Sequence, residues 1–236
     1  MVCKLCLQER DLRNSHVFPE LLHTTLYDHK HRALQLSVQG VKPQYIQKGI
    51  REPLLCGECE QLLSSSYEDY FARFWYQTAP LPNPANRGPY ELSGYDYSRF
   101  KLFHLSILWR SGVASGRSFE HADLGPHEAR LRAMVHDGNA GAPDEYPVFA
   151  TVLVLPDTKT PCDGLVMPPI FVRDAGQRFY AMIYGGCVWQ IAVGSPRIKP
   201  PFTTDMLTPS HLVLRVSDID KFRPAANFFR ATSLIT

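Results

Sequence analysis

The pairs Cys3/Cys6 and Cys56/Cys59 constrain this chain more than any other feature of its sequence. Each is a Cys-x-x-Cys, a spacing that lets two thiolates reach one ion from a single tight turn. Two such pairs supply the four ligands of a tetrahedral Zn²⁺ site. The second pair lies in Leu55-Cys56-Gly57-Glu58-Cys59, with the glycine that such a turn wants. The stretch between the pairs, residues 7–55, is longer than the roughly 15–20 residues usual between such pairs. A long insertion costs little, because loop-closure entropy grows only logarithmically with length. Structural zinc at Cys3, Cys6, Cys56 and Cys59 is therefore the expectation. The rival is two unrelated thiol pairs, one of them redox-active, but no thioredoxin-like βαβ pattern surrounds either pair. Cys162 and Cys187 stand alone and read as small buried hydrophobes.

The chain has 236 residues, 44% of them hydrophobic and 20% charged, enough to build a sizeable core and unlike a disordered chain. No apolar run approaches the roughly 18 residues of a membrane span. The opening Met1-Val2-Cys3-Lys4-Leu5-Cys6 lacks the apolar stretch of a secretory signal. A cytoplasmic location is expected, where disulfides are rare and paired cysteines bind metal. The net charge of +2 neither implies nor excludes a nucleic-acid partner.

Three segments follow from the pattern. Residues 1–78 hold both cysteine pairs. Pro19 opens a helical pattern carried by Leu22 and Leu26, and residues 33–38 and 44–50 are short strand candidates around a turn at Gly40 to Pro43. After Cys59, the stretch from Gln61 to Tyr76 predicts a helix with an aromatic stripe that packs inward. Residues 79–97, rich in proline and glycine, form a linker or a long ordered loop. Residues 98–236 predict an α+β companion domain with an antiparallel sheet. It has helices over 98–112 and 126–136, and strands over 147–155, 165–172, 178–184, 187–193 and 212–216. A closing helix is expected over 218–230. Gly185-Gly186 between two strands is a hairpin signal.

The order of features in the first segment resembles the zinc-containing HNH nucleases. There a Cys-x-x-Cys pair precedes a His-hydrophobic-hydrophobic-Pro segment, and a second pair opens the final helix. Here the corresponding residues are Cys3/Cys6, then Ser15-His16-Val17-Phe18-Pro19, then Leu55-Cys56-Gly57-Glu58-Cys59-Glu60. The resemblance covers roughly residues 1–75. It implies a ββα-metal (treble-clef) finger that hydrolyses nucleic-acid phosphodiesters with one divalent ion. His16 would be the general base, since an imidazole titrates near working pH. Glu60, at the position after the last cysteine, would be a ligand for catalytic Mg²⁺ or Mn²⁺, ions that prefer oxygen. The chain departs from the pattern twice. Ser15 replaces an acidic or imidazole ligand, with Asn14 or His23 as substitutes, and no asparagine precedes the second pair to orient the base, a role that Glu52 would take.

Arg51, Lys30 and Arg32 are the expected phosphate contacts. Residues 1–51 carry eight Lys/Arg against four Asp/Glu, whereas residues 52–69 carry only acids, a pairing that suits a metal facing phosphate. Each role has a structural competitor: His16 as a core histidine, Glu60 as a favourable charge at a helix start, the basic cluster as a solvated loop. The expected partner is nucleic acid, DNA in the first place, with a role in defence against foreign DNA, and not a membrane. A homo-oligomer or a protein partner would use the C-terminal region. The competing reading is a catalytically inactive zinc module that binds nucleic acid or a protein.

Overall fold

The computed structural model describes residues 1–30, 33–35, 44–46, 49–79, 88–174, 176–194 and 202–222. Arg32, the centre of the expected turn at Gly40 to Pro43, and most of the expected closing helix lie outside these residues. The part of that helix that is described forms only a short 3₁₀ turn, Ile219–Lys221.

The N-terminal elements are strand β1 (Leu12–His16), the short pair β2 (Ala33–Gln35) and β3 (Gln44–Ile46), strand β4 (Arg51–Cys56) and helix α1 (Gly57–Leu63). β1 and β4 form a two-stranded antiparallel ladder, with Leu12 opposite Cys56 and His16 opposite Arg51. β2 and β3 form a second such ladder. β4 runs directly into α1, so Cys56 ends a strand and Cys59 lies in the first helical turn. The helical pattern after Pro19 is realised as two 3₁₀ turns, Glu20–Leu22 and Thr24–Leu26, broken at His23. The expected helix over 61–76 is a longer helical run. α1 passes through a π-helical turn (Ser64–Glu68) into α2 (Asp69–Arg73) and ends in a second π turn (Phe74–Thr78). Each π turn inserts a residue and rotates the side-chain face that follows.

Strand β5 (Tyr90–Leu92) falls within the stretch expected to link two domains, and it joins the large sheet as an edge. Helix α3 (Tyr97–Val113) follows, capped by the Asp96 carboxylate, which accepts from the Arg99 N–H at 3.0 Å. Every side chain from Phe100 to Ser111 is buried. An all-round buried helix is a core element rather than a surface one. Gly112 lets it pass close to its neighbour, since a Cβ there would stand 2.2 Å from Leu124 Cδ1. Helix α4 (His127–Asp137) starts just after Pro126.

The large sheet has six strands in the order β5-β10-β6-β9-β8-β7, where β6 is Val148–Val154, β7 Met167–Asp174, β8 Gln177–Tyr184, β9 Cys187–Ala192 and β10 Leu212–Asp218. The sequence reading places these strands well but makes the sheet antiparallel. It is mixed, because β10 pairs with β6 in parallel, Leu214 opposite Ala150. The long connection from β9 to β10 permits that crossover, and strand periodicity carries no information about direction. The β8–β9 hairpin turns at Gly185 and Gly186, both with positive φ (57° and 77°), as a two-residue turn of this hand requires.

Alternation along the strands divides the sheet into two faces. Val148, Ala150, Val152 and Val154 face the main core, while Leu153, Ala181, Ile183 and Val188 face a smaller cluster with Leu165 and Ile219. The main core is continuous from Cys3 and Leu5 through Phe71, Phe103 and Trp189 to Leu214. The expected segments 1–78 and 98–236 thus share one hydrophobic interior. The aromatic stripe of the first builds it: Phe71 stacks on Phe103 of α3 at 3.9 Å between centroids, and Trp75 packs edge-on to Trp189 of β9 at 5.0 Å. Among the described residues no helix is long and apolar enough to cross a membrane.

Candidate functional site

The turn carrying Cys3 and Cys6 is closed by the Cys3 N–H donating to the Gln8 carbonyl at 2.9 Å and by Leu7 in a left-handed conformation. The Lys4 N–H donates to the Leu54 carbonyl at 2.9 Å, which ties the turn to β4. Cys56 and Cys59 arrive from the strand-to-helix junction. The four Sγ atoms lie within 4.8 Å of one another, with Cys6 and Cys56 at 4.0 Å, and all four cysteines are free thiols. A tetrahedral Zn²⁺ with bonds of about 2.3 Å places its sulfurs about 3.8 Å apart. The cluster is close to that spacing and could hold a metal ion such as zinc. Three of its cysteines are buried and Cys6 is half-buried, so the site is closed in the manner of a structural one. Burial alone would raise the Cys3 thiol. The backbone N–H groups of Cys56, Cys6 and Leu5 outweigh it and bring the thiol down to about 7, with the Cys56 N–H at 3.3 Å from Sγ. Burial pushes Cys59 up, and a bound cation would reverse that. Cys162 and Cys187 are buried far from the cluster in sequence, as small hydrophobes.

The second assembly surrounds His16, the last residue of β1. Its Nε2 accepts from Arg51 Nε at 2.8 Å and also contacts a Glu20 carboxylate oxygen. The first contact needs the ring's lone pair and the second needs a proton on the same nitrogen. The imidazole therefore has a partner for each of its two states at Nε2. Arg51 also donates to Glu20 at 3.3 Å, and the Tyr27 hydroxyl donates to Glu20 at 2.8 Å. Burial would raise the Glu20 carboxyl, but the Tyr27 hydroxyl, His16 and Arg51 together hold it below its ordinary value.

His23 lies beside this group. It is 6% exposed, and neither ring nitrogen has a hydrogen-bond partner among the described residues. Burial first, and then His16, depresses it to about 4, so it is neutral near pH 7. Gly49, with φ of +62°, admits both rings: a Cβ there would stand 3.0 Å from His23 Nε2 and 3.4 Å from His16 Cδ2.

Glu52 does not orient His16. Side chains alternate across a strand, so Glu52 diverges from its neighbour Arg51. Its carboxylate accepts instead from the Ser115 N–H (2.7 Å), the Ser115 hydroxyl (2.8 Å) and the Gly116 N–H (2.8 Å), in the loop after α3. The carboxylate beside the imidazole is Glu20, four residues on from His16. The sequence analysis missed it, although the turn at Pro19 brings the chain back and made that spacing readable. Ser15 is buried, and its hydroxyl donates to the Arg13 carbonyl at 3.3 Å. Asn14 lies on β1 opposite Pro53. Glu60 sits half-buried in the first turn of α1. Lys30 is exposed, its backbone N–H donating to Asp28 Oδ1 at 2.9 Å. Among the described residues, only the four cysteines bring three or more metal-ligating groups together.

No family model, no curated protein and no solved structure matches the chain. The functional reading rests on the residues themselves.

Proposed function

We propose that this chain is a zinc-stabilised HNH-like endonuclease with His16 as its base. One observation carries this reading: an imidazole held between a carboxylate and a guanidinium at one end of a strand pair whose other end carries the four-cysteine cluster. The strand β1, the strand β4 and the helix α1 lie in the order that a treble-clef finger requires, with one cysteine pair in the preceding turn and the other at the strand-to-helix junction. Zinc at the cysteines would fold the finger and take no part in the chemistry.

In the hydrolysis, His16 Nε2 takes a proton from water as its oxygen bonds to phosphorus, and the bond from phosphorus to the leaving alcohol oxygen breaks. The protonated Nε2 then donates to Glu20, whose carboxylate stabilises the imidazolium. Arg51 is released from His16 by the substrate phosphate, which offers it two oxygens in place of one nitrogen. His16 Nε2 then gives its proton to the leaving oxygen, which departs as the alcohol and leaves the imidazole neutral again. Glu60, the expected ligand of Mg²⁺ or Mn²⁺, lies in α1 beyond the Cys56 end of β4 and joins no cluster of metal-ligating groups among the described residues, so the residues present do not fit a catalytic ion beside His16. No step is assigned to that ion.

The test is cleavage of plasmid, linear and single-stranded DNA and of RNA, in Mg²⁺, Mn²⁺ and Ni²⁺, by wild type and by His16→Ala. Cleavage by wild type that is lost in a folded, metal-replete His16→Ala supports the assignment. Equal cleavage by both removes His16 from the chemistry. The burial of Ser15 and the commitment of Glu52 to the 115–116 loop favour a second reading, a catalytically inactive finger that binds nucleic acid or a protein. Tight DNA binding without cleavage in any of the three metals selects it.

A further inference from the structure

We propose that Arg110 is a positioning residue for His16, through which the C-terminal half of the chain sets the geometry of the base. Its catalytic meaning rests on the nuclease reading above, but the contact itself does not.

Arg110 lies on the last turns of α3, and its side chain is only 3% exposed. Its Nη1 donates to the His16 backbone carbonyl at 3.2 Å, across 94 residues of sequence, and to Glu68 Oε1 at 2.8 Å. Nε and Nη2 reach back to the Ser106 carbonyl at 3.4 Å and the Ser106 hydroxyl at 3.3 Å. One guanidinium thus joins three elements: α3, the π turn that ends at Glu68, and the end of β1. That π turn lies between α1 and α2 and sets the phase at which Glu68 meets α3.

A buried guanidinium is costly unless its charge is matched and its donors are used. Here Glu68 matches the charge, and the backbone of the catalytic strand receives one of the donors. The opposite strand is held by the same region of the chain, since Glu52 of β4 is gripped by Ser115 and Gly116 just beyond α3. The two anchor points are His16 itself and Glu52, the neighbour of Arg51, and His16 faces Arg51 in the ladder. The His16 ring itself is met by Glu20, Arg51 and, across Gly49, His23. A shift of the β1 end moves the ring relative to all three. Lysine at position 110 keeps the charge opposite Glu68 but cannot serve the His16 carbonyl, Glu68 and Ser106 from one fixed fork.

The test uses the full chain as wild type, Arg110→Lys and Glu68→Gln, with His16→Ala to assign the His16 ring signal by NMR. Fold and metal content are checked by circular dichroism and metal analysis. The expected result for a folded Arg110→Lys is a His16 titration midpoint moved by about half a pH unit or more, since small changes in neighbours move histidine readily. Its kcat falls about ten- to hundredfold with KM little changed, the pattern of a misplaced catalytic group. If Arg110→Lys does not fold, Glu68→Gln, which keeps size and shape, is judged by the same readouts. A folded variant whose His16 midpoint and kcat both match wild type overturns the assignment. If wild type itself does not cleave, the nuclease reading falls, and the His16 midpoint alone decides whether Arg110 positions the ring.

Discussion

Replacing Phe71 by alanine tests whether the cysteine-bearing segment and the large sheet fold as one unit. Phe71 is fully buried on α2 and stacks on Phe103 at 3.9 Å, with Phe100 and Trp75 at 5.8 Å, His104 at 5.6 Å and Tyr184 at 6.1 Å between centroids. A buried phenylalanine removes about 150–250 Å² from water, which at about 25 cal/mol per Å² is about 4–6 kcal/mol. Alanine retains some of that area and the neighbours relax partly, so the measured loss should be about 3–5 kcal/mol. Against a typical total of about 5–15 kcal/mol, this is a large fraction. For a chain of this size it corresponds to a fall in Tm of about 10 °C. The assay is urea and thermal unfolding followed by far-ultraviolet circular dichroism and tryptophan fluorescence. Trp75 and Trp189 belong to opposite halves of the chain and touch each other, so both probes should report one shared transition. A loss below about 1 kcal/mol, or two transitions of which only one responds, would refute the continuous core.

The remaining expectations are narrower. Cys56→Ser, or a strong chelator, should remove close to one equivalent of zinc and lower Tm, read by metal analysis and calorimetry; full stability without metal would count against the site. Glu52→Ala should cost about 1–3 kcal/mol, because it strips three donors in the 115–116 loop of a charged acceptor. Lys101 is buried among the Ala142 and Glu145 carbonyls at 2.7 and 2.6 Å, and burial lowers it to about 8. The unfolded chain therefore holds this proton more tightly than the folded one. Stability should be flat below pH 8 on this account and rise by up to about 2 kcal/mol from there to about pH 9.5, before tyrosines ionise. Buried Cys162 and Cys187, whose thiols burial pushes up, act in the opposite sense over this range, so the test is the difference in denaturation midpoints between wild type and Lys101→Gln: it should grow in favour of wild type from about pH 8 to about pH 9.5, and a constant difference would show that the ammonium is not strained.

How much of this was legible in the sequence follows from the range of the interactions involved. The cysteine cluster was readable because Cys-x-x-Cys is a local geometry, and two local geometries closing on one ion need no knowledge of the chain between them. The hairpin at Gly185-Gly186 and the helix over Tyr97–Val113 were readable for the same reason. The direction of β10 was not, since Leu214 meets Ala150 through a crossover that strand alternation does not encode. The helix after Pro19 broke at His23 into two 3₁₀ turns, with β-branched Thr24 and Thr25 directly following.

The site shows the same limit in sharper form. Glu52 stands just before the second cysteine pair, where the resembled pattern has its orienting asparagine, and so was the expected partner of His16. Strand alternation turns it the other way, and its oxygens find Ser115 and Gly116, 63 and 64 residues away. Glu20 takes the place beside the imidazole, through a turn local enough to have been read. Arg110 and Glu68 were beyond any such reading, because a buried arginine on an apolar helix announces a partner without naming it. The cysteine cluster that could hold a metal ion is thus written in short spacings, whereas the contacts that hold the His16 end of β1 come from α3, a helix with no motif of its own. A segment ending at residue 78 would keep its cysteines and His16 but lose Arg110, Ser115 and Gly116. It would also lose Phe103 and Trp189, the partners of Phe71 and Trp75 in the shared core, so it should not hold its fold alone.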